Sequence, residues 1–211
     1  HKRIFEGDKG KNTGGMGAYS PSRLENDYLN KKILDRIIIP TFKGLKDLGT
    51  SFTGFLYAGL MIVDGEPFLI EYNVRMGDPE CQTILPKLET DFTEILLSCC
   101  NTKLSEIDIK WNKKKSLCIV LCSKGYPGNY QKNLIIENIK KIKTNENNLC
   151  FHAGTILKNN EILSVGGRVL NFVSIADNYS NARQNVVKNI NALDWKDGFY
   201  RKDIGYKVID K

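Results

Sequence analysis

The chain reads as an α+β fold, on three observations. Leu29, Ile33, Ile37 and Ile38, followed by Leu45 and Leu48, recur at helical spacing. The apolar run 53–63 and the strand-like stretch that begins at Phe68 are joined through Asp64-Gly65, a dipeptide that turns hairpins readily. Beyond residue 116, strand-like runs alternate with the turn-rich stretches GYPGNY and KNNE. With 211 residues and 41% hydrophobic content the chain can bury one sizeable core, or a larger and a smaller one.

The opening stretch EGDKGKNTGGMGAYSP, from Glu6, is glycine-rich. Gly7, Gly10, Gly14, Gly15 and Gly17 would let backbone N–H groups approach an anion closely, as a phosphate cradle requires. The same composition makes a mobile surface loop, and the spacing fits neither the P-loop nor the dinucleotide fingerprint. Asn26 can cap the helix that follows. Pro40 kinks or divides that helix, and Gly49 ends it.

In the second hairpin strand a period of two sends Phe68, Ile70 and Tyr72 to one face and Leu69, Glu71 and Asn73 to the other. The Glu71 carboxylate and the Asn73 amide carbonyl then emerge side by side. Such a pair suits a hard cation such as Mg²⁺, which takes one or two protein oxygens and keeps its other sites for water and phosphate. A short turn at 64–65 sets Ala58 or Gly59 roughly opposite Glu71, so metal binding leans on Glu71 and Asn73. Without a cation, E-x-N is simply a strand end. The strand breaks into Arg75, Gly77, Asp78, Pro79 and Glu80, a turn carrying both signs of charge. Arg75, Asp78 and Glu80 are candidates for chemistry, or for a surface salt-bridge cluster.

Leu88, Phe92, Ile95, Leu96 and Cys99 form the stripe of a helix that stops at Asn101. The polar, Lys-rich segment 101–115 reads as a connection, with a domain boundary near 110. Strands follow in SLCIVLCS, NLCFHAGTIL and GGRVLNFVSI, and a helix from Asn178 carries Ala182, Val186, Val187 and Ile190 on one side. His152 reads as a structural histidine within a strand. Gly166-Gly167-Arg168 reads as a turn entering a strand, its arginine paired with a carboxylate.

Lys and Arg number 31 against 24 Asp and Glu, a net charge of +7. Residues 101–150 hold ten lysines against four acids, so most of the excess lies away from the motifs. Few aromatics interleave those lysines to stack bases, and solvated surface is the expectation rather than a nucleic-acid interface. The six cysteines show no CxxC spacing and the two histidines lie far apart, which argues against zinc. Nothing at the start reads as a secretion signal, and no apolar run is long enough for a membrane span. Reduced thiols and a cytoplasmic setting are expected.

Several strings are distinctive: HKR at 1–3, TGGMGAYSP at 13–21, TGFLYAGLMI at 53–62, IEYN at 70–73, RMGDPECQ at 75–82, FHAGT at 151–155, GGRVL at 166–170 and FYRKDIGY at 199–206. Together they resemble the glycinamide ribonucleotide synthetases, or phosphoribosylamine–glycine ligases, of the ATP-grasp superfamily. Met76 stands where that family usually has Phe or Leu, and Lys11 where it commonly has Pro. Many ATP-grasp enzymes place a further acidic metal ligand near position 58 or 59; this chain, like the synthetases it resembles, has only small residues there.

The resemblance implies the carboxy-terminal part of an ATP-grasp domain at 1–110, with the metal and substrate site, and a smaller, mainly β domain at 111–211 that closes the cleft. It implies ligation of glycine to 5-phosphoribosylamine, with ATP as co-substrate giving ADP and phosphate through a glycyl phosphate, in de novo purine biosynthesis. Glu71 and Asn73 would hold Mg²⁺ or Mn²⁺, Arg75, Asp78 and Glu80 would serve catalysis, and Gly14, Gly15, Met16, Gly17 and Arg168 would contact nucleotide or substrate. Family members are considerably longer, so the implied activity needs an amino-terminal half. The alternatives are another ATP-grasp carboxylate–amine ligase, or a non-enzymatic basic module that binds RNA.

Overall fold

A computed structural model describes residues 1–209. In chain order the elements begin with β1 (Arg3–Phe5), β2 (Lys9–Asn12), β3 (Gly17–Ser20), α1 (Asp27–Ile33), α2 (Ile39–Asp47), β4 (Tyr57–Val63) and β5 (Glu66–Asn73). Then come α3 (Glu80–Ile84), α4 (Phe92–Cys100), β6 (Lys115–Ser123), β7 (Leu134–Ile135), β8 (Asn148–His152), β9 (Thr155–Lys158) and β10 (Glu161–Ser164). The last are β11 (Arg168–Ala176), α5 (Tyr179–Leu193), β12 (Gly198–Phe199) and α6 (Tyr206–Ile209). Among the described residues no helix is long and apolar enough to cross a membrane.

Two compact units result, and they do not follow a single cut near 110. One comprises His1–Pro21, Asp78–Lys87 and the chain from Asn112 onward; the other comprises Ser22–Gly77 and Leu88–Trp111. Strand pairing is the reason. The end of the glycine-rich opening, read from sequence as loop, is strand β3, and it lies antiparallel on β6 with Gly17 opposite Ile119 and Ser20 opposite Ser116.

In the first unit, β6 pairs with β11 on one side and with β3 and β12 on the other, and β8 lies beyond β11. Partner residues share a face, so Leu117, Ile119 and Leu121 stand with Leu170, Phe172 and Ser174. That face meets α5: Ala182, Val186, Ile190 and Leu193 are buried in the same core, and Asn185 Nδ2 donates to Ser174 Oγ at 3.2 Å. Asn178 caps α5 as expected, accepting from Asn181 N at 2.8 Å. Cys118, Val120 and Cys122 form the opposite face with Asn171 and Val173. A bulge interrupts β11: Arg168 lies opposite Cys122 and Leu170 opposite Leu121, which leaves Val169 without a partner on β6. The extra residue shifts Arg168 from the face of Leu170 to the face of Asn171 and Cys122. Separately, β7, β10 and β9 form a small antiparallel sheet.

In the second unit the expected helix runs from the Asn26 cap, which accepts from Leu29 N at 2.9 Å, to Gly49 at φ +74°. The helical residues continue past Pro40 instead of ending there. A π-helical segment, Leu34–Ile38, joins α1 to α2 just before the proline, whose missing N–H rules out a normal bond there. Thr41 Oγ1 bonds Ile37 O at 2.7 Å and Tyr72 Oη at 2.6 Å, tying helix to hairpin. The second helix starts later than its apolar stripe implies. Asp91 caps α4 by accepting from Thr93 N and Glu94 N, while Leu88 lies outside it, bridged to Trp111.

The β4–β5 register corrects one expectation. From the tight turn Val63 faces Glu66 and Leu60 faces Leu69, but beyond them Gly59 faces Glu71 and Tyr57 faces Asn73, leaving Ile70 as a bulge that sets Gly59 rather than Ala58 opposite Glu71. Past a bulge the alternation changes phase. Phe68, opposite Met61, therefore shares the face of Glu71 and Asn73, and Leu69 shares the face of Tyr72.

Candidate functional site

The residues picked out from the sequence fall into two groups, one in each unit. In the second unit the end of β5 carries Glu71, Asn73 and Arg75. Opposite Glu71 is Gly59, where an added Cβ would lie 3.0 Å from Glu71 Cγ; the absence of a side chain there leaves the carboxylate its room. Asn73 Oδ1 accepts a long 3.4 Å bond from Arg75 Nη2, and Arg75 Nη1 donates to Met76 O at 2.9 Å. The Arg75 guanidinium is thus oriented by its neighbours in the chain and exposed.

Two hard oxygens two residues apart fit a cation that completes its shell with phosphate and water. Among the described residues no group of three or more His, Cys, Asp or Glu side chains is placed to hold a metal, so a closed protein cage is not on offer. All six cysteines are free. Burial pushes the Cys122 and Cys150 thiols up to about 12 and the Cys118 thiol higher still, which keeps them protonated and inert.

The first unit brings together Gly14, Gly15, Asp78 and Arg168. The Val169 bulge aims Arg168 at this point. Its Nη2 lies 3.1 Å from Asp78 Oδ2, and its Nη1 donates to Asp78 O at 2.7 Å and to Gly14 O at 3.0 Å. The second Asp78 oxygen, Oδ1, accepts from Gln82 Nε2 at 3.2 Å. Arg168 does pair with a carboxylate, but one in the motif, and in doing so it fastens the glycine loop to the GDPE turn. The glycines are needed for that closeness. A Cβ on Gly14 would meet Arg168 Cζ at 2.7 Å, and one on Gly15, at φ +129°, would meet Pro79 Cδ at 2.6 Å. Glu80 opens α3 and is half-buried; burial first, and the Asp78 carboxylate second, push the neighbouring Cys81 thiol up.

The picture of a cradle of free amides is corrected here. Gly14 N donates to Tyr126 Oη at 3.1 Å, Gly15 N to Thr13 Oγ1 at 3.0 Å and Met16 N to His1 O at 2.8 Å. Met16 is a core residue, fully buried with its sulfur 3.7 Å from Cys122 Sγ, and Gly17 lies in strand β3. Of the four residues, only Gly14 and Gly15 stand beside the charged pair. His152 ends β8 and is exposed, its Nδ1 2.9 Å from Thr155 Oγ1. Sequence reasoning gave no role to Tyr126, which lies in the turn-rich GYPGNY, or to Thr13 and Gln82, which stand at the ends of two motif strings.

Comparison with known proteins places the chain in a family. Residues 1–81 match the model of the phosphoribosylglycinamide synthetase ATP-grasp (A) domain, and residues 116–207 that of the phosphoribosylglycinamide synthetase C domain. A phosphoribosylamine–glycine ligase of Brucella melitensis is 38% identical over 211 residues, covering 100% of this chain and 49% of that protein. A chloroplastic phosphoribosylamine–glycine ligase of Arabidopsis thaliana is 41% identical, covering 99% and 40%. The crystal structure of the phosphoribosylamine–glycine ligase of Thermotoga maritima superposes with a TM-score of 0.83 at 32% identity, over 97% of this chain and 50% of that one. The chain spans about half the length of the curated relatives it matches. With both domain models of one family accounting for most of its length, the chain belongs to the phosphoribosylglycinamide synthetase family.

Proposed function

We propose that this chain supplies half of an enzyme that uses ATP to join glycine to 5-phosphoribosylamine, forming glycinamide ribonucleotide, ADP and phosphate in de novo purine biosynthesis. The observation that supports this most is that the matched relatives share that name while the motif residues Gly14, Asp78 and Arg168 are joined in one hydrogen-bonded cluster. In the reaction a glycine carboxylate oxygen attacks the γ-phosphorus and ADP leaves. The amine nitrogen then attacks the glycyl carbonyl carbon, and phosphate departs with that carboxylate oxygen.

Glu71 and Asn73 would hold Mg²⁺ or Mn²⁺, which when bound supplies neutralisation of phosphate charge. Arg75 presents a planar fork suited to phosphoryl oxygens, and its bond to Met76 O fixes the fork's direction. Asp78 has both carboxylate oxygens engaged, by Arg168 and Gln82, so its role is to hold the glycine loop in place rather than to meet the amine. Glu80 is the remaining carboxylate of the turn and is assigned to orienting the amine. Gly14 and Gly15 lie against substrate or phosphate, with Arg168 behind them.

The activity requires the rest of the relatives' length. In the second unit Met61 is 54% exposed, Phe68 54% and Ile70 61%, an apolar surface on the hairpin that further chain would cover. A cytoplasmic setting is in keeping with six free thiols. The test is an assay of the complete protein with ATP, glycine and freshly generated 5-phosphoribosylamine. ADP release that depends on both substrates supports the reading; ADP release with another acid or amine in their place, and none with these, would replace it by a different ATP-grasp ligase.

A further inference from the structure

We infer that Tyr126 is a positioning residue for the glycine loop, a role that rests on the ligase reading for its kinetic consequence but not for its structural one. Tyr126 lies on the turn between β6 and β7, far in sequence from either motif, yet it touches both residues that flank the charged pair. Its hydroxyl accepts the Gly14 N–H at 3.1 Å. Its ring fills the space beside Gly167, where an added Cβ would lie only 2.1 Å from Tyr126 Cδ2.

Gly14 is consequently held at both ends of its peptide units: its N–H by Tyr126, its carbonyl by Arg168 Nη1 at 3.0 Å. Gly167 precedes Arg168, so the ring also limits where the guanidinium can stand. Through these two contacts Tyr126 acts on the Arg168–Asp78 pair without touching the carboxylate. Two features keep the tyrosine itself in place. Gly125 sits at φ +95°, and a Cβ there would meet Asn129 O at 2.2 Å, so the turn closes tightly on itself. Ser123 Oγ, two residues earlier, donates to Gly166 O at 3.0 Å, and Ser123 N to Gly167 O at 2.8 Å, fastening the base of the turn to the same GGR segment.

A residue that only fills space would tolerate loss of its hydroxyl. A positioning residue would not. Tyr126→Phe keeps the ring against Gly167 and removes the one acceptor of the Gly14 amide. A net hydrogen bond of this kind governs up to about a tenfold change in a local equilibrium.

The experiment is made on the complete protein, wild type and Tyr126→Phe, with two readouts. Hydrogen exchange read by mass spectrometry should show several-fold faster exchange at Gly14 and Gly15 in the variant, with the β6 and β11 amides unchanged. Steady-state kinetics should show kcat/KM for glycine or the amine lowered several-fold, with the affinity for ATP and the melting temperature held. Tyr126→Ala, which also frees Gly167, should lower it further, and Tyr126→Phe should lie between Ala and wild type. Unchanged exchange at Gly14 in Tyr126→Phe overturns the positioning role whether or not the protein proves to be a ligase. Faster exchange with wild-type kinetics confines Tyr126 to a structural contact and overturns it too. Absence of ligase activity in the wild type, with the exchange effect present, contradicts the functional reading alone.

Discussion

Arg168 and Asp78 meet, Nη2 to Oδ2 at 3.1 Å, because one residue is inserted between them and the regular sheet: the bulge at Val169 turns Arg168 off the α5 face and onto the face where the GDPE turn begins. The pair is part-exposed, so its contribution to stability is about 1 kcal/mol or less. Its geometry matters more than its strength. Arg168→Lys keeps the charge but cannot reach Asp78 Oδ2, Asp78 O and Gly14 O from one planar group. The expectation is a small fall in melting temperature and a fall in kcat of tenfold or more, about 1.4 kcal/mol per factor of ten. Melting curves and steady-state kinetics on the complete protein separate the two effects.

Glu71→Gln keeps the shape of the side chain and removes its charge. If Glu71 is a principal metal ligand, activity falls by roughly two orders of magnitude or more and the Mg²⁺ dependence shifts to higher concentration. A variant that kept most of its kcat at saturating Mg²⁺ would remove Glu71 from the metal site.

Arg75→Lys tests the phosphoryl role. The lysine retains a positive charge but not the fork, so kcat should fall more than ATP affinity, measured by calorimetry, weakens. Normal turnover with a slight loss of stability would make Arg75 a surface residue that only braces Met76 and Asn73.

Acid sensitivity should come from the first unit's charged cluster. Arg201, whose side chain is fully buried, meets Asp8 Oδ1 at 2.8 Å and Asp203 Oδ1 at 2.5 Å, and Tyr206 Oη donates to Asp8 Oδ2 at 2.8 Å. Burial alone would raise both carboxyls. The hydrogen bonds from Tyr206, Arg201 and Lys207 outweigh it and hold Asp8 far below the usual carboxylate range, and Arg201 and the Gly7 amide hold Asp203 below it. A carboxylate lowered by folding stabilises the native state above its unfolded value of about 3.9, and that stability is lost as pH falls through the folded value. Urea titrations should show stability rising with pH through this acid range, and Asp8→Asn should flatten the rise while lowering stability near neutral pH. An unchanged acid slope in Asp8→Asn would contradict the assignment.

Much of this was legible in the sequence because the signals were local. The Asn26 and Asn178 caps and the Asp64-Gly65 hairpin follow from residues close in the chain. What the sequence did not reveal depends on distant partners. The bulges at Ile70 and Val169 carry no composition signal, yet they decide that Phe68 accompanies Glu71 and that Arg168 faces Asp78. Strand β3 was hidden in a glycine-rich string because its ladder partner, β6, lies about a hundred residues on. Met16, read with its neighbours as a ligand residue, is core because that pairing carries it onto Cys122.

The measurement that tests the central claim most directly follows oxygen. Glycine labelled with ¹⁸O in its carboxylate is turned over by the complete protein with ATP and 5-phosphoribosylamine, and the released phosphate is analysed by mass spectrometry. The account predicts that each phosphate carries one labelled oxygen, because a carboxylate oxygen bonds to the γ-phosphorus and leaves with it. Phosphate free of label, with product formed, would show that glycine is never phosphorylated and would contradict the proposed function.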